Sequence, residues 1–158
     1  ADGALQAAAE LQVPVCLMHL RGQPRTMQEA PHYDDVVAEV GAFLEERVAE
    51  CVRAGLQENL IVIDPGFGFG KTHAHNVGLL ANLRQLQSMG RPVLVGISRK
   101  STLGELTARN VDDRMPASIA AAVIAVMYGA QIVRVHDVAA TVDALKVVQA
   151  VTEMGVEG

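Results

Sequence analysis

Four short apolar stretches, each followed by a helical segment, constrain the fold of this chain more than any other feature. The predicted strands cover residues 13–18, 60–63, 93–97 and 132–135. The predicted helices cover residues 34–54, 76–89, 101–106, 112–128 and 139–152, and residues 4–11 resemble the end of one more helix. Strands that alternate with helices form parallel sheets, because a parallel connection needs a long crossover. The sequence therefore predicts an α/β fold with four parallel strands.

Two parallel architectures fit this alternation, an open doubly wound sheet and a (β/α)8 barrel. Polar clusters follow all four predicted strands, at residues 19–28, 64–71, 98–101 and 134–136. A barrel gathers every strand end around one mouth, whereas an open sheet binds ligands mainly at its switch point. Four strands cannot close a barrel, and a complete one needs about 250 residues. We therefore expect the C-terminal half of a (β/α)8 TIM barrel.

The second strand leads directly into a glycine-rich loop, Ile61-Val-Ile-Asp-Pro-Gly-Phe-Gly-Phe-Gly-Lys71. Asp64 ends the strand, the glycines let backbone approach a ligand, and the two phenylalanines supply flat apolar walls. This setting suits a neutral heterocycle with N–H donors better than a phosphate. The glycine spacing fails both the Walker A and the dinucleotide-binding patterns. The structural alternative is a glycine-rich loop that binds nothing.

Basic residues follow the third and fourth strands. In Gly96-Ile-Ser-Arg-Lys-Ser101, Lys100 and the start of the next helix favour a carboxylate or phosphate. Arg134 and His136 are two residues apart on a strand and therefore share a face, which suits a phosphate or diphosphate. The alternatives are a capped helix with surface basic residues, and a buried salt bridge.

The loop after the first strand contains Arg21 and Arg25, with Gly22 and Pro24 as turn residues. It is either a substrate rim above Met18 or a solvated basic loop. Of the five histidines, His73 and His75 are the nearest pair, but their spacing is not that of a helical zinc site, so we expect solvated loop residues.

Composition excludes several functional classes. The 158 residues are 50% hydrophobic and carry a net charge of −5, which argues against nucleic acid as a partner. No apolar run reaches the roughly 18 residues of a membrane span, and no signal peptide opens the chain. Cys16 and Cys51 lack CxxC spacing, so we expect free buried thiols in a reducing cytoplasm. The first residues are already helical and lack an initiator Met, which predicts a longer parent protein.

Together these clusters resemble one family. Cys16-Leu-Met-His, Gly22-x-Pro24-x-x-Met-Gln, Asp64-Pro-Gly-Phe-Gly-Phe-Gly-Lys, Gly96-x-Ser-Arg-Lys-Ser and Arg134-Val-His-Asp, in this order, are similar to dihydropteroate synthase, the sulfonamide target of bacterial folate synthesis. The resemblance covers nearly the whole chain. It implies that residues 1–158 form a single pterin-binding domain fragment, with barrel units 5–8 preceded by the end of helix 4.

The resemblance also implies a reaction, in which 6-hydroxymethyl-7,8-dihydropterin diphosphate condenses with 4-aminobenzoate to give 7,8-dihydropteroate and diphosphate. Asp64 should bind the pterin N–H groups, Lys100 should touch the pterin and the aminobenzoate site, and Arg134 with His136 should hold the diphosphate. The implied substrate-binding residues are Met18 and Gly96 beneath the pterin, Phe69 and Ser101 around aminobenzoate, and Ser98.

The family further implies a homodimer and Mg²⁺ on the diphosphate, with the expected metal ligand, an Asn of the first barrel strand, outside this chain. Two other functions remain open at this point. One is a barrel that presents methyltetrahydrofolate to a corrinoid, although that class has no use for a diphosphate clamp. The other is a non-catalytic barrel half that is structural or binds a partner.

We predict negligible turnover by these 158 residues alone, because mobile loops and pterin contacts of the family's first half have no counterpart here. A steady-state assay of dihydropteroate formation measures this, and near-normal product formation would contradict it.

Open sheet edges also favour pairing between copies of the chain, so we expect light scattering to show self-association.

Overall fold

The computed structural model describes residues 3–23 and 25–155 and contains the four predicted parallel strands. They are β1 (Val15–Met18), β2 (Ile61–Asp64), β3 (Leu94–Val95) and β4 (Ile132–Val133). β1 pairs with β2 and β3 pairs with β4, both in parallel. A parallel bridge between Ile63 and Val93 joins the two pairs, and the Ile63 N–H donates to Pro92 O at 2.9 Å. The predicted strands are confirmed, although β3 and β4 are only two residues long.

Helices follow each strand, as the alternation predicts. They are α1 (Ala4–Leu11), α2 (Val36–Arg53), α3 (His73–Ala81), α4 (Leu83–Gln87), α5 (Ser101–Thr107), α6 (Met115–Met127) and α7 (Val138–Gly155). Short 3-10 turns at Glu58–Leu60 and Val111–Asp113 precede β2 and α6. The α/β fold class is therefore confirmed.

Two predicted helices differ from the observed ones. The helix predicted at residues 76–89 begins earlier, at His73, and is divided at Asn82, whose backbone (φ −110°, ψ 21°) is not helical. The helix predicted from residue 112 begins at Met115, with Pro116 in its first turn. Proline lacks an N–H and is tolerated only there, so the preceding residues form a separate 3-10 turn.

The hydrophobic core lies between the strands and helices α2 to α6. Val40 and Leu44 of α2 and Ile63 of β2 are fully buried in it, together with Leu79 and Leu83. Because the strands are parallel, their carboxyl ends, including Asp64, lie at a common edge beside this core. The core thus positions the polar residues that follow each strand.

Burial departs from expectation at one of the two cysteines, and the apolar helix α6 has two exposed side chains, Ile124 and Met127. Cys51 is buried as expected, whereas Cys16 is exposed, because it alternates with Leu17, which packs against the core from β1. Pro24 lies outside the described residues. Within the described part of the chain, no helix is long and apolar enough to cross a membrane.

The N-terminus of α2 provides a test of this fold. The Asp35 side chain accepts hydrogen bonds from the N–H groups of Val37 at 3.0 Å and Ala38 at 3.1 Å. Asp35→Ala should therefore lower the free energy of unfolding by about 1 kcal/mol. The matched control is Asp34→Ala, whose carboxylate is exposed and contacts only the exposed His32. Urea unfolding of both variants measures this, and equal losses would contradict it.

Candidate active site

The C-terminal ends of the four strands surround one cavity of about 430 Å³. It is lined by Met18, Phe69, Gly96, Ser98, Lys100, Arg134, Val135 and His136. Asp64 adjoins this group through Arg134. Ser101 lies instead in a neighbouring cavity of about 390 Å³, with Gln28, Pro31, Lys71, Thr72 and His73. The structure thus brings the predicted residues to one edge of the fold, with Ser101 in the adjacent cavity.

Asp64 is the buried carboxylate of this site. Its side chain is 1% exposed, and its Oδ1 atom accepts a hydrogen bond from the Gly66 N–H at 2.8 Å. Its Oδ2 atom accepts one from Nη2 of Arg134 at 3.1 Å. The Arg134 side chain is 56% exposed, so the ion pair joins a buried carboxylate to a cation that still faces the open cavity.

The glycine-rich loop, residues 66–70, is held by side chains from its surroundings. The Gly68 N–H donates to Asn76 Oδ1 at 2.9 Å, and the Gly68 carbonyl accepts from Gln28 Nε2. The Tyr33 hydroxyl donates to Gly70 O at 2.8 Å. Gly66 (φ +69°) permits close approach, because a Cβ there would lie 1.8 Å from the His19 carbonyl oxygen. The loop conformation is therefore fixed from several directions.

The two phenylalanines of this loop have different environments, contrary to the prediction that both form walls of the site. Phe67 is 1% exposed and belongs to the core. Phe69 lines the cavity, and Nζ of Lys100 lies 4.1 Å from the centre of its ring. In an extended strand these two rings would share a face, but positive φ angles at Gly66, Gly68 and Gly70 turn the loop backbone, so the rings face different ways. Only Phe69 can contact a ligand.

Lys71 points into the fold. Its Nζ atom lies 2.8 Å from His19 Nδ1 and donates to Gly66 O at 3.0 Å and to Phe69 O at 3.2 Å. Burial lowers the pKa of Lys71 to about 7, with Asp64 opposing that shift. Lys71 is therefore not a phosphate-binding lysine of the P-loop kind.

The residues after β3 and β4 present cationic and hydrogen-bonding groups to the cavity. Burial, followed by the charge of Arg134, lowers the pKa of Lys100 below its usual value. Ser98 Oγ accepts a hydrogen bond from the backbone N–H of His136 at 3.2 Å. The same oxygen lies 3.0 Å from the ring atom Nδ1 of His136. When the hydroxyl donates to Nδ1, the ring hydrogen is on Nε2, where it can meet an anion. Ser98 therefore orients His136.

Gly96 leaves room for Arg134. A Cβ at Gly96 would lie 2.6 Å from Arg134 Nη2, closer than any carbon–nitrogen contact allows. The guanidinium therefore lies directly over the Gly96 backbone. Any side chain at this position would displace Arg134.

One supporting ion pair was not recognised from sequence. Arg99 donates to both oxygens of Asp137, at 3.1 and 2.7 Å, and its backbone N–H donates to Ser118 Oγ. Charge alone does not reveal a partner 38 residues away, because only the packing of β3 beside β4 joins them.

His73 is exposed, as predicted, and His75 is half-buried, but the prediction that both lie in a loop was wrong. His73 and His75 lie in the first turn of α3, where Thr72 and His75 form a capping box. His75 N–H donates to Thr72 Oγ1, and the Thr72 N–H donates to His75 Nδ1. Glutamate or glutamine normally fills this position, so the imidazole gave no capping signal in the sequence.

The described residues do not form a metal site. No group of three metal-ligating side chains occurs within residues 3–23 and 25–155. Asp64 already binds Arg134 and Gly66, and Asp137 binds Arg99. The remaining charged groups in the cavity are cations, which repel Mg²⁺. The residues present therefore do not fit this ion, and Mg²⁺ stays a prediction from the resemblance.

Comparison with known proteins identifies the family. The family described as "Pterin binding enzyme" matches residues 2–136. The chain belongs to the pterin-binding enzyme family. It is 53% identical over 148 residues to dihydropteroate synthase of Escherichia coli, covering 94% of this chain and 52% of that relative. The chain thus spans about half the length of the curated relatives it matches.

Solved structures of this family have the same fold over the matched region. A dihydropteroate synthase from Xanthomonas albilineans in complex with 7,8-dihydropteroate is 54% identical, with a TM-score of 0.90 over 96% of this chain and 55% of the other. The same enzyme with 4-aminobenzoic acid is 55% identical, with a TM-score of 0.90 over 96% of this chain and 54% of the other. The resemblance inferred from the sequence is thus confirmed for the family and its fold.

The buried His19 predicts a pH dependence of stability. Burial, with the charges of Lys71 and Arg21, lowers the pKa of His19 from 6.5 to about 4. Between these values the unfolded chain binds a proton that the folded chain does not, so the free energy of unfolding should fall as the pH drops from 6.5 to 4. His19→Asn keeps an acceptor for Lys71 and should flatten this dependence.

Urea unfolding at several pH values measures the effect. The matched control is His32→Asn, because the His32 side chain is 84% exposed. It should retain the pH dependence of the unsubstituted chain. Parallel pH curves for His19→Asn and the unsubstituted chain would contradict the assignment.

Proposed function

We propose that this chain provides the substrate-binding C-terminal half of a dihydropteroate synthase, with residues 1–158 as barrel units 5–8 after the end of helix 4. The activity is the condensation of 6-hydroxymethyl-7,8-dihydropterin diphosphate with 4-aminobenzoate. The observation that carries the proposal is one cavity lined by Lys100, Arg134 and His136, with the buried carboxylate of Asp64 beside it, bound to Arg134. A neutral ring and an anionic leaving group need such an arrangement.

The pterin ring replaces Arg134 at Asp64. The ring presents adjacent N–H donors, and the Asp64 carboxylate already accepts one hydrogen bond from a guanidinium with the same planar donor geometry. Each new bond to the buried carboxylate contributes roughly 1.5–3 kcal/mol. Met18 and Gly96 supply a flat surface beneath the ring, and the released guanidinium stacks on its face.

Arg134 and His136 hold the diphosphate. Once released from Asp64, the guanidinium can donate two parallel hydrogen bonds to phosphate oxygens. His136 adds a donor at Nε2, oriented by the contact of its Nδ1 with Ser98. These groups stabilise the negative charge that grows on the leaving oxygen as the C–O bond breaks. Lys100 adds a third donor beside them.

Phe69, Lys100 and Ser101 form the aminobenzoate side. The Phe69 ring can stack on the benzoate ring, and Ser101 can donate to its carboxylate from the neighbouring cavity. The complexes of the Xanthomonas relative with dihydropteroate and with 4-aminobenzoic acid support this assignment. Both ligands fit the chemistry of the side chains present.

The reaction needs positioning more than acid or base. The C–O bond to the diphosphate breaks with both electrons leaving on oxygen, and the pterin ring delocalises the positive charge left on its methylene. The aminobenzoate nitrogen then forms the new C–N bond and releases one proton to water. This amine is neutral at pH 7, so no strong general base is required, and the path is SN1-like.

The other functions receive less support. A barrel that presents methyltetrahydrofolate to a corrinoid has no anion for Lys100, Arg134 and the ring donor of His136 to bind. A purely structural role does not account for a buried Asp64 beside an open cavity.

We also propose a cytoplasmic homodimer, and the exposed valines of α7 (Val142, Val147 and Val151) support an interface with a second copy. Light scattering that gives a strict monomer at high concentration would contradict the homodimer.

Asp64→Asn tests the proposed function. Asparagine keeps the shape but replaces one acceptor oxygen by an N–H₂ group, which meets the pterin N–H donors unfavourably. We expect affinity for 6-hydroxymethylpterin, measured by calorimetry, to fall at least tenfold, or about 1.4 kcal/mol. The matched control is Asp143→Asn on exposed α7, which should bind as the unsubstituted chain does. Equal affinities for both variants would refute the role of Asp64.

A further inference from the structure

Lys71 is a buried cation that the proposed reaction does not use. An ammonium has three N–H donors, and here each has an acceptor: His19 Nδ1, Gly66 O and Phe69 O. The side chain is only 3% exposed. Transfer of a charged ammonium from water to such a site is costly unless every donor is bound. The matched acceptors therefore indicate a specific role in the loop.

Two of the three acceptors belong to the loop that carries the site. Gly66 is held on both sides, because its N–H donates to Asp64 Oδ1 and its carbonyl accepts from Lys71. Phe69, whose carbonyl also accepts from Lys71, places its ring beneath the Lys100 ammonium. One ammonium thus connects the backbone beside the carboxylate to the backbone of the aromatic wall.

The third acceptor anchors this ammonium to the neighbouring strand end. The His19 ring is buried and packs edge-on against Phe43, with ring centres 4.9 Å apart. The His19 N–H donates to the Asp64 carbonyl at 2.9 Å, which continues the pairing of β1 with β2. Lys71 therefore ties the glycine loop to the rigid part of the fold.

We propose that Lys71 is a positioning residue that holds Asp64 and Phe69 in the geometry for binding the pterin and aminobenzoate rings. This inference rests on the proposed function. Lys71 does not line the cavity that contains Arg134 and His136, and although its side chain adjoins the neighbouring cavity of Ser101, its ammonium is engaged by His19, Gly66 and Phe69. It acts through the Gly66 and Phe69 backbone.

The protonation state of Lys71 gives this role a pH signature. Asp64 on β2, His19 and Arg21 after β1, and Lys100 after β3 are the charged or titratable groups facing it, and burial lowers its pKa to about 7. A neutral amine has two N–H donors for three acceptors. Ligand affinity should therefore fall as the pH rises through 7, because one loop contact is lost.

The substitution Lys71→Met removes the ammonium and keeps an apolar chain of similar length. The matched control is Lys146→Met on α7, where the lysine side chain is 71% exposed. We expect amide hydrogen exchange at residues 66–70 to become at least ~10-fold faster in Lys71→Met, with α2 unchanged. Unchanged loop exchange would overturn the proposal.

Calorimetry with 6-hydroxymethylpterin at pH 6 and pH 8.5 provides the second measurement. Lys71→Met should bind about 10-fold more weakly than the unsubstituted chain at pH 6. It should also lose the step in affinity near pH 7, while Lys146→Met keeps both. Equal affinity, or the same step in Lys71→Met, would overturn the positioning role. If Asp64→Asn loses pterin binding while Lys71→Met binds as the unsubstituted chain does, the proposed function stands and this inference is rejected.

Two further outcomes are distinguishable. If the unsubstituted chain does not bind the pterin, the proposed function fails, and loop exchange in Lys71→Met still decides whether Lys71 holds the loop. If Lys71→Met does not fold, amide hydrogen exchange is measured instead in the unsubstituted chain at pH 6 and pH 8.5. The rates are corrected for the intrinsic effect of pH on exchange. Selective loosening of residues 66–70 at pH 8.5 supports the role, and uniform behaviour across the chain overturns it.

Discussion

The ion pair between Asp64 and Arg134 is the interaction on which the rest of the site depends. It joins the end of β2 to the residue after β4, across 70 positions of sequence. The carboxylate is buried, so leaving it without a cationic or N–H partner is unfavourable, even though the Arg134 side chain itself is half exposed. A ligand that displaces Arg134 must therefore supply equivalent donors. This requirement favours a planar ring with adjacent N–H groups, and in the proposed reaction it frees a cation for the leaving group.

The glycine loop makes this carboxylate available. Its backbone passes so close to the loop after β1 that a Cβ at Gly70 would lie 2.2 Å from the Arg21 carbonyl oxygen. Side chains from three directions, Tyr33, Asn76 and Lys71, bind its peptide groups. Short helices and two-residue strands leave much of this edge without regular backbone pairing, and these side-chain contacts replace it. Rigidity at the site thus comes from polar contacts more than from secondary structure.

Local charge matters more here than net charge. The chain carries a net charge of −5, yet the cavity contains Lys100, Arg134 and His136. The buried Asp64 pairs with Arg134 and Asp137 pairs with Arg99, and the lining of the cavity contains no acidic side chain among the described residues. Field lines in a cleft with low-dielectric walls are concentrated, so an anion is attracted locally despite the overall charge. The same distribution argues against nucleic acid, which needs an extended basic surface.

The sequence by itself determined the order of strands and helices, the parallel sheet, and the positions of Asp64, Lys100, Arg134 and His136 at strand ends. Alternating periodicities and glycine spacing are local properties, and parallel strands bring their carboxyl ends to one edge wherever the chain goes. Only the tertiary structure decided that Phe67 enters the core while Phe69 faces the cavity, that Cys16 is exposed, and that Lys71 binds His19. These outcomes depend on which surfaces meet across tens of residues, and no local pattern contains that information.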